Sequence, residues 1–299
     1  MVEVPCRGPF DLALCIRAAR SFVRQPEPAS PEEAADLEAS ASLLRQGVWL
    51  EGRPTLLEIR QVSLEPPVVG ARTDPPAPAE PVGRLTAWVV NASMELGPFY
   101  AAVRRHPVLG PLTRRFHGLK PFRPASLFDM LVMAVTEQQI SLAAAHHIQT
   151  RLVERFGGQV DGLPVFPRAE TLAEASEEDL VACGLSHRKA EYIRGVGEAV
   201  ASGALDLEAL ETASNDEVRA RIAALRGFGI WSADYVLIRG MGRADVVPFD
   251  DLGVRRSLGQ LLGDGHLLTP AEAADVLAPF APHRGLAVFY LLVGSRYVG

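Results

Sequence analysis

The chain is predicted to fold as an α+β protein, with a small mixed N-terminal domain followed by a long, mostly helical remainder. Three observations predict it. Runs with strand character lie only in residues 1–90 and are grouped, not strictly alternating with helices, which favours an antiparallel sheet with helices beside it. From Asn91 onward nearly every apolar run repeats at 3.6-residue spacing. Finally, 299 residues exceed one ordinary compact domain, and with 48% hydrophobic and 22% charged residues they can bury a sizeable core.

In order, residues 11–24 and 31–46 are helix candidates, and 48–51, 55–62 and 85–90 are strand candidates. Six prolines in 65–83 predict a loop or a proline-punctuated edge. Helices are expected at 91–104, 125–155, 170–183, 187–202, 214–225, 231–240, 251–262, 270–278 and 282–294. Ser126 stands before one apolar run, Ser176 has Asp179 three residues on, and Ser214 has Glu217 three residues on, which is capping chemistry. Glycines and prolines at 157, 158, 162, 164, 184, 203, 227, 229 and 248 mark the connections.

Composition excludes several classes. The net charge of −6 provides no protein-wide basic field, so affinity for nucleic acid must come from a local patch; Arg239, Arg243, Arg255 and Arg256 cluster suitably. Cys6, Cys15 and Cys183 are too few and scattered for a disulfide framework or a four-cysteine metal site, and read as reduced thiols. Met1 to Pro5 lacks the pattern of a signal peptide, and the longest apolar run, 286–293, is far short of the about 20 residues that span a bilayer. A soluble, cytoplasmic protein is expected.

The densest chemistry lies in Leu225-Arg226-Gly227-Phe228-Gly229-Ile230-Trp231-Ser232-Ala233 and, one helix later, Phe249-Asp250-Asp251-Leu252-Gly253. Gly227 and Gly229 permit positive φ and close approach of another backbone. The turn would aim the unpaired first-turn amides of the second helix, and its positive dipole end, at a phosphate. Alone, such a Gly-x-Gly favours a plain αα-corner with a glycine C-cap; the downstream carboxylates turn the balance to the clamp. Asp250 and Asp251 precede a helical run, so one of them caps it. A capped carboxylate is rigid, and can stabilise a positive charge that develops beside it or orient a water. Trp231 and Tyr235, four apart, share a helix face; this is either core packing or a surface on which another ring stacks. His146 and His147 are adjacent and cannot share a face as metal ligands.

The blocks L-x-G-F-G-x-W-S-A-D-Y, R-G-x-G-R-x-D-V-x-P and D-D-L-G-V-R-R resemble the helix–hairpin–helix DNA glycosylase superfamily, nearest its 3-methyladenine DNA glycosylase II (AlkA) type. The likeness runs loosely from Pro9-Phe10-Asp11 through Glu137-Gln138-Gln139-Ile140-Ser141 to His283–Ala287, and is most specific over 225–256.

The resemblance implies a two-subdomain helical glycosylase core behind the N-terminal domain (1–90). One subdomain, 91–120 plus 249–299, would carry the catalytic aspartate; the other, 121–248, would carry the hairpin (214–240). It implies Asp251 as the catalytic carboxylate, with Asp250 its supporting neighbour. The base pocket would comprise Trp231, Tyr235, Gln138 and Leu292, the last where the family has a further tryptophan, which leaves the pocket more open. Gln139 would be the wedge entering the gap left by the flipped nucleotide. DNA contacts would come from Gly227, Phe228, Gly229, Trp231 and Ser232, with Ser186, Arg188 and Lys189 on backbone phosphates. Carbonyls of Ala223, Leu225 and Phe228 would hold Na+ or K+ when DNA is bound. Trp231 occupies the position of the lysine used by backbone-cutting relatives, and Lys120 and Lys189 are the chain's only lysines, so water is the implied nucleophile. The cysteines of iron–sulfur relatives are lacking, so no cluster is implied. The expected partner is double-stranded DNA with an alkylated base, bound by a monomer. The alternatives are a glycosylase for a deaminated or oxidised base, and a non-catalytic DNA-binding module, which would have no use for Asp251.

Overall fold

The computed structural model describes residues 1–22 and 42–297. Val2–Pro5 forms β1 and Leu12–Phe22 forms α1; Leu43–Leu50, Arg53–Leu64 and Pro67–Asp74 form β2, β3 and β4. β-branched and apolar residues alternate sides along β3, and Leu57 and Ile59 are fully buried. The sheet has six strands in the order β1-β4-β3-β2-β6-β5. Its last two, β5 (Gly158–Val160) and β6 (Leu163–Val165), come from the helical part of the chain as a small hairpin. β6 pairs parallel to β2; every other pairing is antiparallel.

Several expectations for this region are corrected. Residues 85–90 are not a strand, because Ala79–Val89 forms helix α2, in which Val82, Thr86 and Val89 bury one stripe. Their β-branched character suits a buried helix face as well as a strand, and the Thr86 hydroxyl bonds back to the Val82 carbonyl. Residues 65–83 are not one loop, since β4 runs through them between β1 and β3. The prolines bracket that strand instead of interrupting it, with Pro67 at its first position. The 31–46 helix lies outside the described residues as far as 41, and its end belongs to β2.

The remainder is helical: α3 (Gly97–Val103), α4 (Leu109–Arg115), α5 (Leu127–Glu137), α6 (Leu142–Phe156), α7 (Ala169–Ala173), α8 (Glu177–Ala182), α9 (His187–Ala201), α10 (Leu207–Thr212) and α11 (Asn215–Ala223). Then come α12 (Ile230–Tyr235, continued by a π-helical turn Val236–Gly240), α13 (Leu252–Leu262), α14 (Pro270–Leu277, with a 3-10 turn to Phe280) and α15 (Arg284–Tyr297). The run 125–155 is two helices, not one. Its amphipathic stripe continues, but Gln139 adopts φ 57° and Ser141 caps a new start. Likewise 170–183 divides at the Ser176 cap. Helix 91–104 begins only at Gly97. α4 and α10 are too short to show a period in the sequence.

Two apolar cores result. The first joins α1 and the sheet to α2–α4 and to residues from Val247 onward; the second is built from Leu127 to Val246. Trp88 packs against both. The chain crosses between them just before Phe249-Asp250-Asp251, so whatever these residues do happens at the seam.

Candidate active site at the seam between the two cores

The hairpin joins α11 to α12. Ser214 caps α11 through the Glu217 amide, as its sequence signature predicts. Gly227 takes φ 88°, and a Cβ there would lie 2.2–2.4 Å from ring carbons of Tyr192 beneath it, so glycine is required twice over. Phe228 is buried in the second core and anchors the turn. Gly229 begins α12 with extended backbone, φ −122°, and with no side chain to accept a first-turn amide.

Gln138, at the break after α5, donates from Nε2 to the Gly227 carbonyl at 2.9 Å and to Ser232 Oγ at 3.2 Å. It thus fixes the hairpin, a role the sequence does not reveal. Lys189 Nζ donates to the carbonyls of Thr136 and Gln138 at 3.0 and 2.7 Å, and burial lowers its pKa. Its ammonium closes the end of α5, whose last carbonyls need a donor. Ser186 caps α9, while Arg188 is exposed and lines a groove of about 630 Å³ that also meets Leu225 and Arg226 of the hairpin.

Asp251 is the N-cap of α13. Its Oδ1 accepts the Val254 amide at 2.9 Å and its Oδ2 accepts Trp231 Nε1 at 3.0 Å. Both oxygens are held, one from each side of the seam, and the carboxylate keeps lone pairs for a further group. Asp250 beside it is exposed. The Trp231 and Tyr235 rings stack on each other, centroids 4.9 Å apart and 13° from parallel. Leu292, on α15, is partly buried against the first core. α15 packs on α13, the helix that Asp251 begins. Gln139 is exposed, in a left-handed conformation unusual for its type and of the kind found where strain serves a site.

Two acidic residues near the motif are structural. Asp234 accepts Arg219 Nε at 2.7 Å, and burial raises its pKa. Asp245 holds the start of α15 through Arg284, at 2.6 Å between Oδ2 and the guanidinium.

One cluster escapes sequence reading. The Glu137 carboxylate accepts the Tyr235 hydroxyl, Arg239 Nη1 at 3.0 Å and Gln149 Nε2 at 3.3 Å. Burial raises the Tyr235 phenol far above its ordinary range. Tyr235 and Arg239 are four apart, a legible helical pair, but Glu137 lies 98 residues before Tyr235.

The donor set for a monovalent cation is three backbone carbonyls, a chemistry that suits a hard ion. Leu225 O already accepts the Phe228 amide at 3.1 Å but, like any carbonyl, retains a second lone pair. The set fits such an ion. Among the described residues no cluster of His, Cys, Asp or Glu could hold a metal.

Comparison with known proteins agrees with this geometry. Residues 132–278 match the model of the HhH-GPD superfamily of base excision DNA repair proteins. The chain is 32% identical over 201 residues to a Bacillus subtilis DNA-3-methyladenine glycosylase, which covers 66% of either protein. It is 31% identical to DNA-3-methyladenine glycosylase 1 of Schizosaccharomyces pombe, across 56% of this chain and 72% of that one. The matched segment thus spans about two thirds of these relatives. Over 99% of both chains it superimposes on a 3-methyladenine DNA-glycosylase from Archaeoglobus fulgidus, with a TM-score of 0.81 and 25% identity. The hairpin, the aspartate-capped helix and these matches together make the chain a member of the HhH-GPD superfamily of base excision DNA repair proteins.

Proposed function

We propose that the protein is a monofunctional DNA glycosylase that extrudes an alkylated base of the 3-methyladenine type from duplex DNA and hydrolyses its N-glycosidic bond. The observation that carries this reading is the placement of Asp251, held by the Val254 amide and the Trp231 indole beside the Trp231–Tyr235 stack. The hairpin amides at the open start of α12 bind a phosphate without reading sequence. Ile140, Ile230 and Leu252 are exposed apolar residues next in sequence to Gln139, Trp231 and Asp251, and such side chains suit sugars and unstacked bases. Gln139 enters the gap, and the extruded base stacks on the aromatic wall, where a cationic ring gains most.

A base carrying positive charge leaves readily, so the chain's task is to stabilise the sugar cation. Asp251 supplies the negative charge and orients the water that attacks the anomeric carbon. Water, not an amine, is the nucleophile in this reading. Lys120 is buried against the carbonyl of Arg7, and Lys189 is committed to two carbonyls, so neither faces Asp251. Na+ or K+ held by the carbonyls of Ala223, Leu225 and Phe228 would neutralise the clamped phosphate.

The test is release of methylated purines from alkylated duplex DNA by the wild type and by Asp251→Asn. A wild type that binds such DNA yet liberates no base would leave a DNA-binding module. Full activity in Asp251→Asn with loss in Asp250→Asn would move the catalytic role by one residue.

A further inference from the structure

A carboxylate at the end of α5 is badly placed on simple grounds. The C-terminal end of a helix is the negative end of its dipole, and the Glu137 side chain is only 6% exposed there. It cannot close the helix, because a carboxylate has no proton to give the last carbonyls; Lys189 serves those of Thr136 and Gln138. Its bonds lead elsewhere: to the Tyr235 hydroxyl, to Arg239 and to Gln149. Tyr235 stacks on Trp231, and Trp231 holds Asp251, so an unbroken line of contacts joins Glu137 to the candidate catalytic carboxylate.

Arg239 explains the need. The π-helical turn that follows Tyr235 carries its guanidinium to 5.1 Å from the centre of the Tyr235 ring, and 42% of its side chain stays exposed. An unneutralised guanidinium there would place a positive charge behind the aromatic wall and repel a cationic ring in front of it. A neutral base would feel little of this. We propose that Glu137 is a specificity-determining residue: its carboxylate cancels the charge of Arg239, so that the Trp231–Tyr235 wall favours a cationic extruded base over a neutral one. The inference rests on the glycosylase reading and names the charge class of its substrate.

The test uses the full chain and two duplexes that differ in one charge. One carries a hydrolysis-resistant 2′-fluoro-N7-methylguanosine, whose base is cationic; the other carries 2′-fluoroguanosine at the same position. Affinities are measured by fluorescence anisotropy, alongside melting temperatures. The wild type should prefer the cationic duplex. In Glu137→Gln that preference should fall about fivefold, with affinity for the neutral duplex unchanged. Arg239→Gln should keep or raise the preference. An unchanged preference in a folded Glu137→Gln overturns the inference and leaves Glu137 a structural residue. Should Glu137→Gln fail to fold, Arg239→Gln decides, since a fall in cationic preference there overturns it equally. A wild type that shows no preference and also releases no base from alkylated DNA defeats the glycosylase reading itself. Base release without a charge preference defeats only this inference.

Discussion

The helices that begin at Gly229 and at Asp251 start in opposite ways. Asp251 answers its own first turn, taking the Val254 amide at 2.9 Å. Gly229 answers nothing, and a Cβ there would meet no atom within 4 Å, so its smallness is not imposed by crowding from within the protein. From α5 onward, Ser126, Ser141, Ser176, Ser186, Asp206, Ser214 and Thr269 all cap their helices with a side-chain oxygen. Against that habit, α12 is left open; only α7, beginning after Arg168, shares this among the helices of that region whose caps are described. The contrast teaches how one device serves two purposes. A helix start left empty offers its amides to an anion from outside, whereas one closed by its own carboxylate makes that carboxylate rigid.

The largest expected effect breaks the closed start. Asp251→Asn keeps the cap, since asparagine serves as well as aspartate, but removes the charge. Base release should fall about 10²–10³-fold, with melting temperature and DNA affinity nearly unchanged, as read by chromatography of freed bases. Next, Gly227→Ala strikes the turn feeding the open start. Both its left-handed backbone and the Tyr192 ring oppose a methyl group. A loss of about 2–4 kcal/mol is expected in denaturant unfolding, together with weaker DNA binding.

Gly229→Asp sharpens the comparison by converting the open start into a closed one. The new side chain has room, so stability should hold or rise by up to about 1 kcal/mol. DNA affinity should fall about tenfold, and its dependence on salt should flatten, because a carboxylate now occupies the place of a phosphate. A fall in stability instead would mean that the open start is structural. The smallest effect is expected of Asp250→Asn. This residue is exposed and beside the proposed catalytic aspartate, and base release should stay within about twofold of wild type.

Local patterns were legible where one segment carries the whole instruction. Gly227, Phe228 and Gly229 between two amphipathic runs specify the hairpin, and Pro248-Phe249-Asp250-Asp251 specifies a capped helix start. The Ser214–Glu217 and Ser176–Asp179 signatures marked helix beginnings correctly. Residues 85–90 misled because β-branched and aromatic side chains fill either a buried strand or a buried helix stripe, and burial beside β1 and β4 decided for the helix. The break at Gln138–Ser141 was hidden because the apolar period runs through it; only the left-handed Gln139 reveals the interruption.

By itself, then, the sequence determined the α+β class, the hairpin, the capped aspartate and the shared face of Trp231 and Tyr235, because each follows from spacing within one or two turns of chain. Tertiary structure alone decided that Trp231 donates to Asp251, that Gln138 braces the hairpin, that Lys189 closes α5, and that Glu137 meets Arg239. Those contacts join segments 20 to 102 residues apart. Their existence depends on how two cores pack along one seam, and no local periodicity records that.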